Sequence, residues 1–429
     1  MSAVLFGAFV VLLILGVPVA VVMGGASLLA ILVEGRYPGL IIAQRMFSGI
    51  DSFPLMAIPF FVLAAELMTG GKITDSLLAL ASQIIGRLRG GLGHANVLMS
   101  IFFSGISGSA LADAAGPGAV TIQMMRDGGY KPEYAAALTA SSAIIASIIP
   151  PSIIMVIYAL TDNAVSVSAL FVAGIVPGIL IGLALIATNG FLAWKRGFAL
   201  GEARRPWRQF ISESGVVFSA VPLPIIIIGG IHSGAFTPTE ASAVAAAYAL
   251  IVTKFILRSL TWAQLPRLFV RAGLMTSAVL LIVSTASAFA WLLTVLQVPQ
   301  VITNAITSWG LPNVALLLVI AVFLLICGLF IDTLPGVLLF VPIVAPVADA
   351  AGIHPIQTAL VVILSLTIGM ITPPVGGVLF VVSVVSRVPL TRIVAAIIPF
   401  LLAELFVLLL LVLVPAASLW LPSLFGYVH

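Results

Sequence analysis

Stretches such as IIIIGGI (225–231) and LLLLVLV (408–414) recur from one end of this chain to the other. No polar residue falls at every second or every third position within them, so they cannot form the surface of a water-facing strand or amphipathic helix. Only 7% of the residues are charged, against about 25% in ordinary soluble domains. The chain therefore reads as an integral membrane protein. The alternating pattern of a membrane β-barrel is absent. Unbroken apolar runs in lipid must close their backbone hydrogen bonds locally, which means helices. A span takes about 20 residues. The expected fold is all-α, with roughly 10–12 transmembrane helices and, as argued below, two re-entrant helical hairpins.

Charge and cysteine content narrow the function. A net charge of +4 does not suggest nucleic acid, because the basic residues sit in short connections, where they orient a membrane chain. The densest group is Lys195, Arg196, Arg204, Arg205 and Arg208, in KRGFALGEARRPWR, and this connection is expected in the cytoplasm. Cys327 stands alone in an apolar run, which leaves neither a disulfide framework nor a cysteine metal cluster. The N-terminal MSAVLFGAFVVLLILG lacks the basic start of a signal peptide and is expected to be a retained first span.

The basic connection divides the chain almost in half, and the halves match. IIPPS (148–152) aligns with ITPPV (371–375) at an offset of 223, and GYKP (129–132) aligns with GIHP (352–355) at the same offset. VAGIVP (172–177) aligns with VAAIIP (394–399) at 222. Asp113 and Asp332 stand 219 apart, so a short indel precedes the anchors. Each half thus runs through one series: a polar, broken segment with an aspartate, a Gly/Pro turn, an apolar helix cut by Pro-Pro, and a helix carrying proline. The expected organisation is two inverted-topology repeats, 1–194 and 212–429, joined by 195–211. A hairpin is expected at about 92–125 and a broken helix at about 133–165. Their counterparts are expected at about 312–350 and 356–387.

Two successive prolines remove two backbone donors and push the preceding residue out of helical geometry. In hydrocarbon the freed carbonyls each cost several kcal/mol unless partnered. Prolines that merely kink their helices are the bland reading. Two Pro-Pro pairs at matching positions, each after a polar segment with an aspartate, favour another one: carbonyls and hydroxyls that hold a desolvated Na⁺. Paired broken helices in two repeats point to a secondary-transporter site at mid-membrane. In SGISGSALAD (104–113), glycines and serines also suit close helix packing. Asp113 is an intramembrane carboxylate and so a functional candidate. Capping of the second hairpin helix is favoured slightly over direct ligation.

The other ionisable residues read more quietly. Glu66 ends an apolar run near Gly70 and is expected to face the interface. Glu240, after Pro238 and Thr239, suits a helix N-terminus. Glu404 lies in an apolar run with no partner evident, and His94, His232 and His354 sit near turn signals and are expected to be interfacial. Segments 72–90 and 258–272 have charges spaced along mixed faces, as in helices lying along the membrane surface.

These residues resemble the large membrane subunit of tripartite ATP-independent periplasmic (TRAP) transporters. The resemblance covers essentially the whole chain and is carried by SFPLMAIPFFVLAAELM (52–68), SGSALAD (107–113), IIPPSI (148–153), FTPTEASAV (236–244), GLFIDTLP (328–335) and ITPPVG (371–376). It implies an elevator transporter of the bacterial inner membrane, with a scaffold and a moving domain. It implies sodium-driven import of an organic acid such as sialic acid, a C4-dicarboxylate or a sugar acid. The partners it implies are a small four-helix membrane subunit and a periplasmic substrate-binding protein. It also implies no cofactor, with Na⁺ as coupling ion and no transition metal. Carried onto this chain, the sodium sites fall on Ser107, Gly108, Ser109, Ile149, Pro150 and Ser152 in one half. In the other they fall on Asp332, Thr333, Gly369, Thr372, Pro373 and Val375. The substrate cavity is expected at Ser107, Asp113, Pro151, Thr333 and Pro374. No arginine falls in the expected core, so a substrate carboxylate would rely on backbone amides, hydroxyls and sodium.

Two rivals exist. One is a stand-alone sodium/carboxylate symporter of similar repeat fold, which would need no binding protein. The other is an intramembrane serine protease, because GISG (105–108) fits a GxSG pattern. Its serine would need a histidine base on a neighbouring helix. No GxxxxGK[ST] loop is present, so ATP hydrolysis is not expected.

Overall fold

A computed structural model of the chain describes residues 1–35, 37–70, 73–198 and 222–428. Arg204, Arg205 and Arg208 lie outside the described residues, as does position 72 of the segment 72–90. The described chain is built from helices. It opens with α1 (Ser2–Ile14), α2 (Val19–Glu34), α3 (Leu40–Ile50), α4 (Ala57–Gly70) and α5 (Ile73–Ile85). The first half continues through α6 (Gly91–Ser107), α7 (Ala110–Ala115), α8 (Pro117–Asp127), α9 (Pro132–Ala143), α10 (Ile153–Thr161) and α11 (Val167–Lys195). The second half begins with α12 (Pro222–His232), α13 (Pro238–Ile251), α14 (Leu265–Val295) and α15 (Val298–Thr307). It ends with α16 (Asn313–Gly328), α17 (Thr333–Ala350), α18 (Pro355–Gly369), α19 (Gly377–Ser386), α20 (Leu390–Leu413) and α21 (Ala416–Leu424).

Among the described residues, six helices are long and apolar enough to cross a membrane, and six further apolar helices are shorter. The shorter ones include α18 and α19, two pieces of one interrupted element. The interruptions follow from local chemistry. In the first half, α6 ends at Gly108, whose φ of 58° a residue with a side chain seldom adopts. Ser109 then starts α7, accepting the Ala112 N–H at 3.4 Å. After α9 and a single 3₁₀ turn (Ile144–Ser147), Pro150 and Pro151 halt the helix, and Ser152 caps α10 through the Met155 N–H at 3.4 Å. The second half repeats the order. α16 ends at Gly328, and Asp332 caps α17 by accepting the Thr333 N–H at 2.7 Å. α18 stops at Gly369, and α19 restarts after Pro373 and Pro374. The long helices that follow, α11 and α20, carry Pro177 and Pro399 inside them.

The helices pack in two groups. α4 lies against α13, and α14 lies against α2, α3 and α4. The hairpins and broken helices form the other group: α6 packs on α9 and α11, α9 on α20, and α16 on α18. The groups meet where α4 touches α6 and α10, and where α14 touches α17.

One expectation for a surface segment is corrected. Residues 258–272 are not a separate surface helix. A loop held by Thr261, whose N–H and hydroxyl donate to Gln264 Oε1 at 2.8 and 2.9 Å, leads into α14, a 31-residue helix with Pro266 in its first turn. Apolar residues past Arg271 let that helix run on. His94 is buried within the protein, 3% exposed within α6. Its Nδ1 pairs with Asn189 Nδ2 at 3.0 Å, and its Nε2 with the Arg89 carbonyl at 3.0 Å. Asn189, fully buried on α11, also accepts from Tyr134 Oη at 2.8 Å and donates to the Gly90 carbonyl at 3.0 Å. Here α6, α9 and α11 are locked together through one amide. Asn189→Leu strands three buried polar groups and is expected to cost about 2–4 kcal/mol. A thermal midpoint in detergent equal to that of the natural chain would disprove this.

Candidate functional site

Each hairpin tip packs on the Pro-Pro break of its own half. At the first, a Cβ built on Gly108 would lie 2.7 Å from the Pro151 carbonyl oxygen and 3.0 Å from the Ile153 nitrogen. Only glycine lets the tip come so close. Ser107 is 6% exposed, and its Oγ accepts the Ser109 N–H at 3.5 Å. Ser152, fully buried, donates to the Ser147 carbonyl at 2.7 Å. Ile149 packs its side chain against Gly178 of α11. Among the described residues, no backbone N–H reaches the carbonyls of Ile149, Pro150 or Pro151. The prolines have removed the donors that a continuous helix would have supplied.

At the second tip, the Gly376 N–H donates to the Leu329 carbonyl at 3.2 Å, joining tip to break. Gly369 faces Gly328 so closely that a Cβ there would lie 2.6 Å from the Gly328 Cα. Thr333 is buried, with its Oγ1 3.3 Å from Thr367 Oγ1 and donating to Met370 Sδ at 3.0 Å. The Thr372 hydroxyl donates to the Ile368 carbonyl at 2.8 Å. The carbonyls of Thr372, Pro373, Pro374 and Val375 receive no backbone N–H among the described residues. Both peptide bonds between paired prolines, Pro150–Pro151 and Pro373–Pro374, are cis.

The two tips converge on one cavity of about 390 Å³. Ser107, Gly108 and Ser109 line it from the first half, and Asp332, Thr333 and Met370 from the second. Its opposite wall comes from the other packing group, through Glu66 and Thr69 of α4 and Met275 and Val279 of α14. Three residues expected at the cavity stand elsewhere: Asp113, Pro151 and Pro374 are not part of its lining. Asp113 is 1% exposed within α7, beside Ser100. Nor does it cap that helix, because α6 ends at Gly108 and leaves the cap position to Ser109. Pro151 is turned under the tip, and Pro374 is exposed.

Glu66 was missed as a cavity residue. The available signal was Glu66 and Thr69, three apart on one face of an otherwise apolar helix. Arg271, one turn before Met275 on α14, lies within electrostatic reach of Glu66. Arg271 is itself exposed and is not part of the cavity lining. Glu404 is fully buried beside Ser141, away from the cavity. His354 caps α18, and His232 stacks on Phe425 with centroids 4.2 Å apart. Among the described residues, no histidine lines the cavity beside Ser107, so the protease reading finds no base there.

The family model for the DctM component of tripartite ATP-independent periplasmic transporters matches residues 6–417. The chain belongs to this family. It is 41% identical to the sialic acid TRAP transporter large permease protein SiaM of Vibrio cholerae, over 90% of each chain. It is 38% identical to the isethionate TRAP transporter permease protein DctMQ of Oleidesulfovibrio alaskensis, over 97% of this chain and 66% of that longer one. Its fold is similar to that of the Alcanivorax borkumensis YdaH transporter, with a TM-score of 0.59 at 14% identity, over 90% of this chain and 87% of that one. This DctM component is thus a multi-pass membrane permease and not an enzyme. The opposed hairpin tips and their breaks are where its polar backbone concentrates.

Proposed function

We propose that this DctM component imports an organic acid across the bacterial inner membrane, coupled to sodium and by an elevator movement. Its partners are a small four-helix membrane subunit and a periplasmic binding protein that delivers the substrate. One observation carries the reading. Two sets of carbonyls without backbone donors, each packed against a hairpin tip with hydroxyls, flank a single cavity. Oxygen ligands of this kind suit a hard monovalent cation. The cations order both tips, and the ordered tips hold the acid. The packing supports an elevator step: one wall of the cavity belongs to the hairpins, the other to α4 and α14. Sliding one group past the other would expose the cavity on alternate sides.

Coupling requires that sodium favour the substrate-ready state. A tenfold sodium gradient supplies about 1.4 kcal/mol per ion. Two coupled ions would sustain about a 100-fold accumulation before any contribution from the membrane potential. The measurement is uptake into proteoliposomes containing both membrane subunits, with the binding protein outside. Equal uptake with and without the gradient would end the sodium reading. Undiminished uptake without the binding protein would favour the stand-alone symporter.

A further inference from the structure

We propose that the cleft between the α8–α9 turn and the α19–α20 turn binds a phosphate group, and that its occupant is the headgroup of an anionic phospholipid. The cleft, of about 630 Å³, is separate from the transport cavity. Arg126, Arg387 and Arg392 line it, with Glu133 as its one carboxylate. Among the described residues, the only ion pair joins the Met1 amino group to Glu34, so none of the three guanidinium groups has a carboxylate within 4.0 Å. Arg126 Nη1 donates to the Ser386 carbonyl at 3.4 Å and ties the two turns together. Two helices also begin at the cleft, α9 at Pro132 and α20 after Pro389, and neither has a side-chain cap. Their positive ends add to the three cations. Planar guanidinium forks match the oxygens of a phosphate better than they match water.

The cleft is also held in shape. The Ser386 Oγ accepts the Val388 N–H at 3.3 Å, and Ser383 donates to the Val388 carbonyl at 2.7 Å. Between them, Arg387 adopts a φ of 55°, in a C-cap position that usually takes glycine or asparagine. The turn thus presents its arginine from a fixed backbone. Position in the membrane favours a lipid over free phosphate. Arg196, at the start of the basic connection, stacks over Tyr134 of α9 at 4.9 Å from the ring centroid. The cleft therefore shares its end of the molecule with the connection that the positive-inside rule places in the cytoplasm, where anionic headgroups lie. Up α19 from Arg387, Val384 is 78% exposed and Phe380 48%, an apolar surface that suits acyl chains.

Native mass spectrometry of the detergent-purified full chain, titrated with phosphatidylglycerol or phosphatidylcholine, tests this. Phosphatidylglycerol should be retained about tenfold better, as a charge-assisted contact implies. The double variant Arg387→Gln/Arg392→Gln should lose the preference. Arg87→Gln/Arg89→Gln, which removes two cations near the same end but outside the cleft, should keep it. Glu133→Gln should strengthen it, a gain that misfolding cannot mimic. Failure of millimolar inorganic phosphate to displace the lipid assigns the site to a membrane headgroup. Phosphate binding that only the cleft arginines abolish, without lipid preference, assigns the same chemistry to a soluble source and removes the lipid. The proposal is overturned if the cleft variant matches the natural chain, or if both double variants lose the preference equally.

Discussion

Gly108→Ala should lower uptake by about 100-fold or more, while Gly352→Ala changes it little. Both glycines have positive φ, 58° and 74°. A left-handed residue with a side chain is strained by about 1–2 kcal/mol in either place. The difference is space. Nothing lies within 4 Å of a Cβ built on Gly352. At Gly108 the obstacles are the Pro151 carbonyl, the Ile153 nitrogen and the Ser152 Cα at 3.2 Å, all of them backbone. No rotamer change relieves them, and overpacking adds about 1–3 kcal/mol. The cheapest response is for the tip to lift from the break, which separates Ser107 and Ser109 from the Pro-Pro carbonyls. At tenfold per 1.4 kcal/mol, about 3 kcal/mol corresponds to the stated loss. The readouts are uptake by the complete reconstituted transporter and the thermal shift of the purified chain on adding sodium. Full uptake by the Gly108 variant would mean that the tip does not bear on the break.

What the sequence discloses here is local chemistry, and what it conceals is tertiary partnership. Pro150, Pro151, Pro373 and Pro374 remove backbone donors wherever the chain puts them, so the breaks are readable residue by residue. The choice between Ser109 and Asp113 as the cap of α7 is not, because both types cap helices equally well. It depends on where α6 ends, and the left-handed Gly108 decides that. Asn189 looks like any small polar residue in an apolar helix. Its partners, Tyr134 and His94, lie 55 and 95 positions away. Arg126 and Ser386, 260 apart, form the basic cleft only after the halves fold together. Glu66 reads as interfacial because the glycines after it signal a turn, whereas the hairpin tips that make a cavity in front of it come from residues 107–109 and 332–334.

Asp332 should separate a structural aspartate from a cation-holding one. Its carboxylate caps α17 at the tip of the second hairpin, and its side chain is open to the cavity. Asparagine at this position keeps an oxygen for the Thr333 N–H and loses the charge. Alanine loses both, and removing such a cap costs about 1 kcal/mol. If Asp332 helps hold sodium, the two variants share a transport defect and differ in stability. A charge pair 4 Å apart is worth about 4 kcal/mol at an effective dielectric of about 20. Losing about 3 kcal/mol of it weakens ion binding about 100-fold. Asp332→Asn is then expected to melt near the natural chain without sodium, to show almost no sodium-induced shift, and to need far more sodium for half-maximal uptake. Asp332→Ala should show the same sodium defect on a lower melting midpoint. The opposite pattern, with the asparagine variant transporting normally and only the alanine variant failing, would make Asp332 a helix cap and nothing more. The ion at the second tip would then rest on Thr333 and the carbonyls of Thr372–Val375 alone.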